Sequence, residues 1–328
     1  MTLVLDNAEV VSAVHMRAMI DALEAAMVVE ARDGVASVPR INLPVGENGF
    51  FRVMPVVVEE LDVMGLKAFN SGAGGTVRYL VALWGVRSGE LLALVDATYL
   101  TAARTGAVTG VAQRALASEH SDAGVIGSGL EARTNLEAIC AVAPIERVKV
   151  FSPRPERREQ FAAEMSEKLD VEITPVDSPQ DAAGAQTVLV ATNTGAGTGR
   201  IALEGRWLDS AQHVNTIGST MSALREVDGA AFGRAGLVVL DTLHAPAESG
   251  DLQAAAAEGH WDEARVRWLA DLLAGGAPAA AGLTIFKSVG TGLQDIVAAK
   301  AVYDVALARG LGREIEFLGG KQFEGITK

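Results

Sequence analysis

Apolar residues recur along the chain in two different textures, and the change falls near residue 120. Before it, Asp6 reads as the N-cap of one helix running through about Glu30. Val10, Val14, Ala18 and Leu23 lie at roughly helical spacing there. Strand-like runs follow over residues 50–58, 64–70 and 79–84. The last turns through Arg87-Ser88-Gly89-Glu90 into a return run over 91–95. This predicts an antiparallel sheet with hairpins, closed by a helix from about 98 to 117. After residue 120, short apolar runs at 124–126, 148–151, 188–191, 214–217, 237–240 and 284–286 alternate with helical stretches. Continuous apolar runs suit strands buried on both faces of a parallel sheet, and the alternation predicts a doubly wound α/β domain. Ser178-Pro179-Gln180-Asp181 reads as the start of a short helix: N-cap, Pro at the first position, an acid at the third. A long helix over 291–309 ends at Gly310 and is expected to return to the N-terminal part. The expected division is therefore 1–118 with 297–328 as a discontinuous α+β domain, and 119–296 as the doubly wound domain. The Ala/Gly stretch 274–282 reads as a flexible loop.

The first chemical signal is Gly127-Ser128-Gly129-Leu130-Glu131-Ala132, which fits G-x-G-x-x-A between a predicted strand and a predicted helix. The first glycine permits a tight turn, the second lets a pyrophosphate approach the backbone, and the small third residue allows close helix–strand packing. The helix amides and dipole then hold the anion. In this setting the motif predicts a Rossmann dinucleotide site with Gly127, Ser128, Gly129 and Leu130 at the diphosphate. The end of the next strand lacks the acid that NAD-preferring sites use for the ribose. Ser152 and Arg154 stand there, with Arg157 and Arg158 behind them. Arginine pairs well with a 2′-phosphate, so NADP(H) is the expected cofactor, with NAD(H) as the second fit.

Composition narrows the partners. The 328 residues carry a net charge of −13, which disfavours nucleic acid and anionic lipid. No run of about 18 apolar residues predicts a membrane span, and the N-terminus lacks the pattern of a signal peptide. The single cysteine, Cys140, permits no intramolecular disulfide, fits a reducing, cytoplasmic compartment, and reads as an inert helix-face thiol. The five histidines have no metal-ligand spacing, so no metal site is expected. His244 reads as a loop histidine, Asp241 as a capping or loop residue, and Glu248 and Asp251 as a solvated acidic loop. Lys67 falls in a strand otherwise almost without charge; it needs a partner or a ligand, or must snorkel. Arg104 lies in a small-residue helix that another surface can approach closely, where an ordinary ion pair is an equal reading.

Several motifs occur in one order: Gly65-Leu66-Lys67, Thr101-Ala102-Ala103-Arg104-Thr105-Gly106-Ala107, Gly127-Ser128-Gly129, Ala191-Thr192-Asn193-Thr194, Ile217-Gly218-Ser219 and Lys287-Ser288-Val289-Gly290-Thr291. In this order they resemble the ornithine cyclodeaminase/mu-crystallin family over nearly the whole chain. The resemblance implies a homodimer built on the N-terminal domain, and hydride exchange at the α-carbon of a small imino or amino acid. It implies that Arg40 and Lys67 bind a substrate carboxylate and that Arg104, with Thr105, meets the cofactor phosphates and the substrate side of the pocket. It also implies that Thr192 and Asn193 lie beside the nicotinamide ribose, that Ile217 and Gly218 bind the cofactor, and that Ser288 to Gly290 close over it. Lys67 is the candidate for holding the imine proton. Two departures stand out. Arg52 replaces a glutamate and Thr220 an aspartate that serve the cyclodeaminases. Arginine repels a cationic substrate, and a threonine hydroxyl is no base near neutral pH. The expected activity is therefore an NAD(P)-dependent imino-acid reductase or amino-acid dehydrogenase. Ornithine cyclodeamination and cofactor binding without catalysis are the alternatives.

Overall fold

The computed structural model describes residues 1–47, 49–72, 75–193, 200–275 and 282–319. From the N-terminus the elements are β1 (Thr2–Leu5), α1 (Asn7–Ala13), α2 (Met16–Glu30), β2 (Ala36–Ser37), β3 (Ile41–Val45), β4 (Gly49–Val58), β5 (Val63–Ser71), β6 (Val77–Trp84), β7 (Leu91–Asp96) and α3 (Thr98–Leu116). The single helix expected over 6–30 is two. Asp6 caps α1 in a reciprocal capping box with Glu9. The chain then goes extended at Val14, and His15 Nδ1 accepts from the Ala18 amide to start α2 afresh. The break re-aims α2 so that Met19, Ile20, Leu23 and Met27 are buried in the core.

The second half runs through β8 (Asp122–Ile126), α4 (Leu130–Val142), β9 (Arg147–Phe151), α5 (Pro155–Leu169), β10 (Glu172–Pro175), α6 (Pro179–Ala183), β11 (Thr187–Val190), β12 (His213–Thr216), α7 (Gly229–Arg234), β13 (Leu237–Leu240), α8 (Ala245–Glu248), α9 (Gly250–Ala257), β14 (Val266–Trp268), α10 (Leu269–Gly275) and β15 (Thr284–Lys287). All pairings of this sheet are parallel, in the order β10-β9-β8-β11-β12-β15-β13-β14. Its central strands are buried along their whole length, as continuous apolar runs require. The order reverses between β8 and β11, and in such sheets a ligand crevice opens at that switch. Edge strands β10 and β14 lack the apolar runs and were not anticipated. Of the stretch read as a loop, residues 274–275 end α10, and 276–281 lie outside the described residues.

The chain then crosses back. α11 (Gly292–Arg309) packs on α2, α3 and strands β4 to β6, and stops at Gly310 in the left-handed conformation. β16 (Arg313–Ile315) pairs antiparallel with β1, which is itself parallel to β7. The first sheet is therefore mixed rather than purely antiparallel, in the order β16-β1-β7-β6-β5-β4-β2 with β3 beside β4. α3 joins the two halves. A Cβ on Gly106 would lie 2.4 Å from the Thr134 carbonyl oxygen, so the small residues of α3 let α4 approach backbone to backbone. Among the described residues no helix is long and apolar enough to cross a membrane.

Candidate active site

Strand alternation divides β4, β5 and β6 into two faces. Arg52, Met54, Lys67, Phe69 and Tyr79 share one, as their register pairs show (Arg52 opposite Phe69, Met54 opposite Lys67, Phe69 opposite Tyr79). That face forms one wall of a cavity of about 780 Å³; the C-terminal ends of the parallel sheet form the other. Such a volume suits a cofactor and small substrate. The cavity is lined by Arg40, Arg52, Lys67, Arg104, Thr105, Gly127, Ser128, Gly129, Leu130, Ser152, Arg154, Thr192, Asn193, Ile217, Gly218, Thr220, Ser288 and Gly290. Arg157 is a correction. It is exposed in the first turn of α5, whose helical spacing carries it away from the cavity wall.

The glycine bend has the shape its motif demands. Gly127 adopts φ +128, and a Cβ there would lie 2.2 Å from the Ala191 carbonyl oxygen, so no other residue fits. Gly129 caps α4, and a Cβ on it would meet nothing within 4 Å, leaving the helix amides open to a ligand. These features fit a dinucleotide diphosphate. Beside the bend, Ser128 Oγ donates to Ser152 Oγ at 3.0 Å. Arg154 is exposed at the rim, whereas Arg158 is committed to Asp177 and to the Ser152 carbonyl.

Lys67 does not snorkel. It is 2% exposed, and its Nζ donates to Asp295 Oδ1 at 2.8 Å. Arg104 Nε donates to the same oxygen at 2.9 Å, and its NH1 donates to Gln294 Oε1 at 3.0 Å. Both partners come from the first turn of α11. Burial lowers the Lys67 ammonium, Asp295 opposes and Arg104 adds to the lowering, leaving it at about 8. Burial pulls the Asp295 carboxyl upward, but the Arg104 and Lys67 charges outweigh it and hold it below the usual range. Gln294 Nε2 donates onward to Asp241, whose carboxylate also accepts from Ser288 Oγ and the Val289 and Gly290 amides. Asp241 is thus no mere capping or loop residue: it shapes the 288–290 loop. Gly290, at φ +84, leaves room for the Arg104 guanidinium, which a Cβ would approach to 2.8 Å.

Arg40 reaches the same loop, donating from NH2 to the Val289 and Gly290 carbonyls at 2.8 and 3.1 Å and pairing with Glu248 at 3.3 Å. Its Nε is buried without a partner. Arg52 lies over the Phe50 ring at 4.4 Å and donates from Nε to Asn42. Burial and the neighbouring Arg40 charge lower the Arg52 guanidinium. The acidic loop expected to be solvated is not. Glu248 faces Arg40, and Asp251 is fully buried, accepting from Lys287 and the Glu226 and Val227 amides. The reason is α9, which turns Asp251 inward to satisfy amides that would otherwise be orphaned.

Sequence reasoning missed four acids. Asp295 sits in an apolar helix 228 residues from Lys67, so only the fold pairs them. Glu226 is 1% exposed and accepts from the Thr192 amide and hydroxyl, the Thr216 hydroxyl and the Ile217 and Gly218 amides. One carboxylate thus ties the loops after β11 and β12. Asp241 and Glu131 complete the set. Cys140 behaves as expected, since burial pushes its thiol up to about 12.

Residues 1–310 match the model of the ornithine cyclodeaminase/mu-crystallin family. The chain belongs to this family. It is 33% identical over 291 residues to a Δ1-pyrroline-2-carboxylate reductase of Bacillus cereus, covering 85% of this chain and 88% of the relative. Among solved structures it resembles Thermococcus litoralis Δ1-pyrroline-2-carboxylate reductase in complex with NADH and L-proline. There the TM-score is 0.88 at 31% identity, covering 96% and 100% of the two chains. It also resembles an archaeal alanine dehydrogenase dimer with bound NAD, at TM-score 0.87 and 29% identity over 97% and 99%.

Proposed function

We propose that this member of the family is a homodimeric NAD(P)H-dependent imine reductase or amino-acid dehydrogenase acting at the α-carbon of a small 2-imino, cyclic imino or amino acid. One observation carries the reading: a buried lysine whose pKa is lowered toward neutrality faces the same cavity as an open glycine-rich helix start. The sheet carrying Lys67, with α11, is the substrate domain, and the parallel sheet is the cofactor domain. Bound nicotinamide supplies or accepts the hydride. The chain does the rest. Arg40, with its unpartnered buried Nε–H, holds the substrate carboxylate, and Lys67 stands beside it. Arg52 biases the pocket toward neutral or acidic substrates and, with Thr220 in place of an acid, away from ornithine deamination. Lys67 holds the proton at the substrate nitrogen, while Asp295 and Arg104 fix the position and acidity of its ammonium. Thr105, Thr192, Asn193, Ile217, Gly218 and the 288–290 loop enclose the cofactor. Ser152 and Arg154 favour NADPH over NADH.

Oxidation of NADPH and of NADH is the deciding assay, measured with Δ1-pyrroline-2-carboxylate, larger cyclic imines, and 2-oxo acids with ammonia. Turnover on an imine or on a 2-oxo acid with ammonia is expected. Cofactor binding without turnover on the whole panel, or ammonia release from ornithine with no net cofactor change, would sink the proposal.

The other face of the first sheet supports the dimer reading. Ile41, Leu43, Val45, Phe51 and Leu80 lie there on one side of β3, β4 and β6, all more than a third exposed. A contiguous apolar patch of this kind calls for a covering partner, and a second copy of the chain is the occupant we assign.

A further inference from the structure

Glu131 is the second residue of α4, immediately after the glycine bend, and its side chain lines the cavity. Its Oε2 is buried without a hydrogen-bond partner. An acid in the first turn of a helix ordinarily bonds the free amides there; this oxygen does not. Four groups act on it from the surrounding elements: Arg104 from α3, Lys67 from β5, Asp295 from α11 and the Tyr79 phenol from β6. The two cations are already committed, Lys67 to Asp295 and Arg104 to Asp295 and Gln294. No cation forms an ion pair with Glu131 among the described residues. Burial pushes its carboxyl up to about 7, with Arg104 and Lys67 pulling back and Asp295 adding to the rise.

The amides of this first turn are where a dinucleotide diphosphate rests in a Rossmann site. Diphosphate is a dianion. A carboxylate beside it, with Lys67 and Arg104 committed to Asp295, is repelled, whereas a carboxylic acid has an O–H to donate. We propose that Glu131 enters the cofactor complex as the neutral acid, donating its O–H to a phosphate oxygen, so that dinucleotide binding takes up one proton from solvent at this residue. The inference rests on the dinucleotide site proposed above and adds the protonation state that site selects.

The test uses NADH and ADP-ribose, neither of which carries a titrating 2′-phosphate; ADP-ribose also lacks the nicotinamide that would approach Lys67. Calorimetry near pH 7 in two buffers of different ionisation enthalpy counts protons directly. Wild type should take up roughly half a proton per ligand, and E131Q none. The wild-type Kd should weaken up to about tenfold per pH unit above neutrality, while that of E131Q for ADP-ribose stays flat from about pH 6 to about pH 7.5, below the value at which Lys67 titrates. Equal uptake in E131Q, or wild-type binding without uptake, overturns the proposal. So does affinity that rises with pH, the signature of a carboxylate accepting from a ribose hydroxyl. The wild-type proton count decides the matter even if E131Q folds poorly. Turnover and NADH binding with no proton linkage would reject only the role of Glu131. Failure of both probes to bind at any pH would overturn the dinucleotide site with it.

Discussion

Lys67 and Arg104 share one carboxylate oxygen, Asp295 Oδ1, at 2.8 and 2.9 Å. Burial lowers the Lys67 ammonium, and the shared acid does not offset it, because the Arg104 charge beside it adds to the lowering. Removing the acid leaves both cations uncompensated. Asp295→Ala should destabilise the fold by about 3–5 kcal/mol, seen as a drop in urea midpoint. Lys67→Met should instead fold and bind cofactor, yet lose about 10²–10⁴ in kcat/KM. Full turnover in that variant would remove Lys67 from the chemistry.

The acidity of Lys67 gives opposite pH limbs to the two reaction directions. Imine reduction needs the ammonium as proton donor, so its kcat/KM should fall as pH rises through about 8. Amine oxidation needs the neutral amine and should rise through the same value. Steady-state profiles in both directions check this, and a limb at about 8 that survives in Lys67→Met contradicts it.

Glu226 holds the Thr192 and Ile217–Gly218 loops through five donors. A glutamine keeps the shape but puts an NH2 where donors converge. Glu226→Gln should raise the cofactor KM about tenfold or more, since hydrogen bonds to a charged acceptor contribute about 1.5–3 kcal/mol each. The substrate KM should move much less. A mere loss of active fraction, with both KM values unchanged, would reduce Glu226 to a folding role.

Arg154 is exposed at the rim beside Ser152 and forms no ion pair among the described residues, whereas Arg158 is tied to Asp177. Arg154→Ser should weaken NADPH by about tenfold with little effect on NADH, the scale of one charge-assisted contact. Unequal binding of the two cofactors that persists unchanged in the variant would place selectivity elsewhere.

Leu43 and Phe51 face each other across β3 and β4 on the exposed side of the first sheet. Leu43→Glu puts a charge in the centre of that patch and should shift light-scattering mass from dimer to monomer. An unchanged dimer would assign the interface to another surface.

Much of this was legible in residues alone, for identifiable reasons. The parallel strands announced themselves because burial on both faces enforces unbroken apolar runs, and the bend because only glycine fits at Gly127. Lys67 and Arg104 were visible as charges in apolar or small-residue settings. Their partner was not: Asp295 lies in a helix remote in sequence, and pairing across such a distance leaves no local pattern. Asp241 and Asp251 read as loop residues, and Glu226 drew no reading, because their task is to bond backbone amides of other loops, which only tertiary geometry reveals. The break at Val14 was hidden because an apolar stripe continues through it, while the backbone obeys the new cap at His15.

The closing strand β16 zips onto β1, and α11 brings Asp295 to Lys67 from the far end of the chain. During synthesis the parallel sheet, contiguous over 122–287, can form while the first sheet still waits for its last pieces. Lys67 thus stays without its acid until α11 has been made. Activity should therefore require α11, and a prematurely terminated product lacking it should be silent rather than half-active.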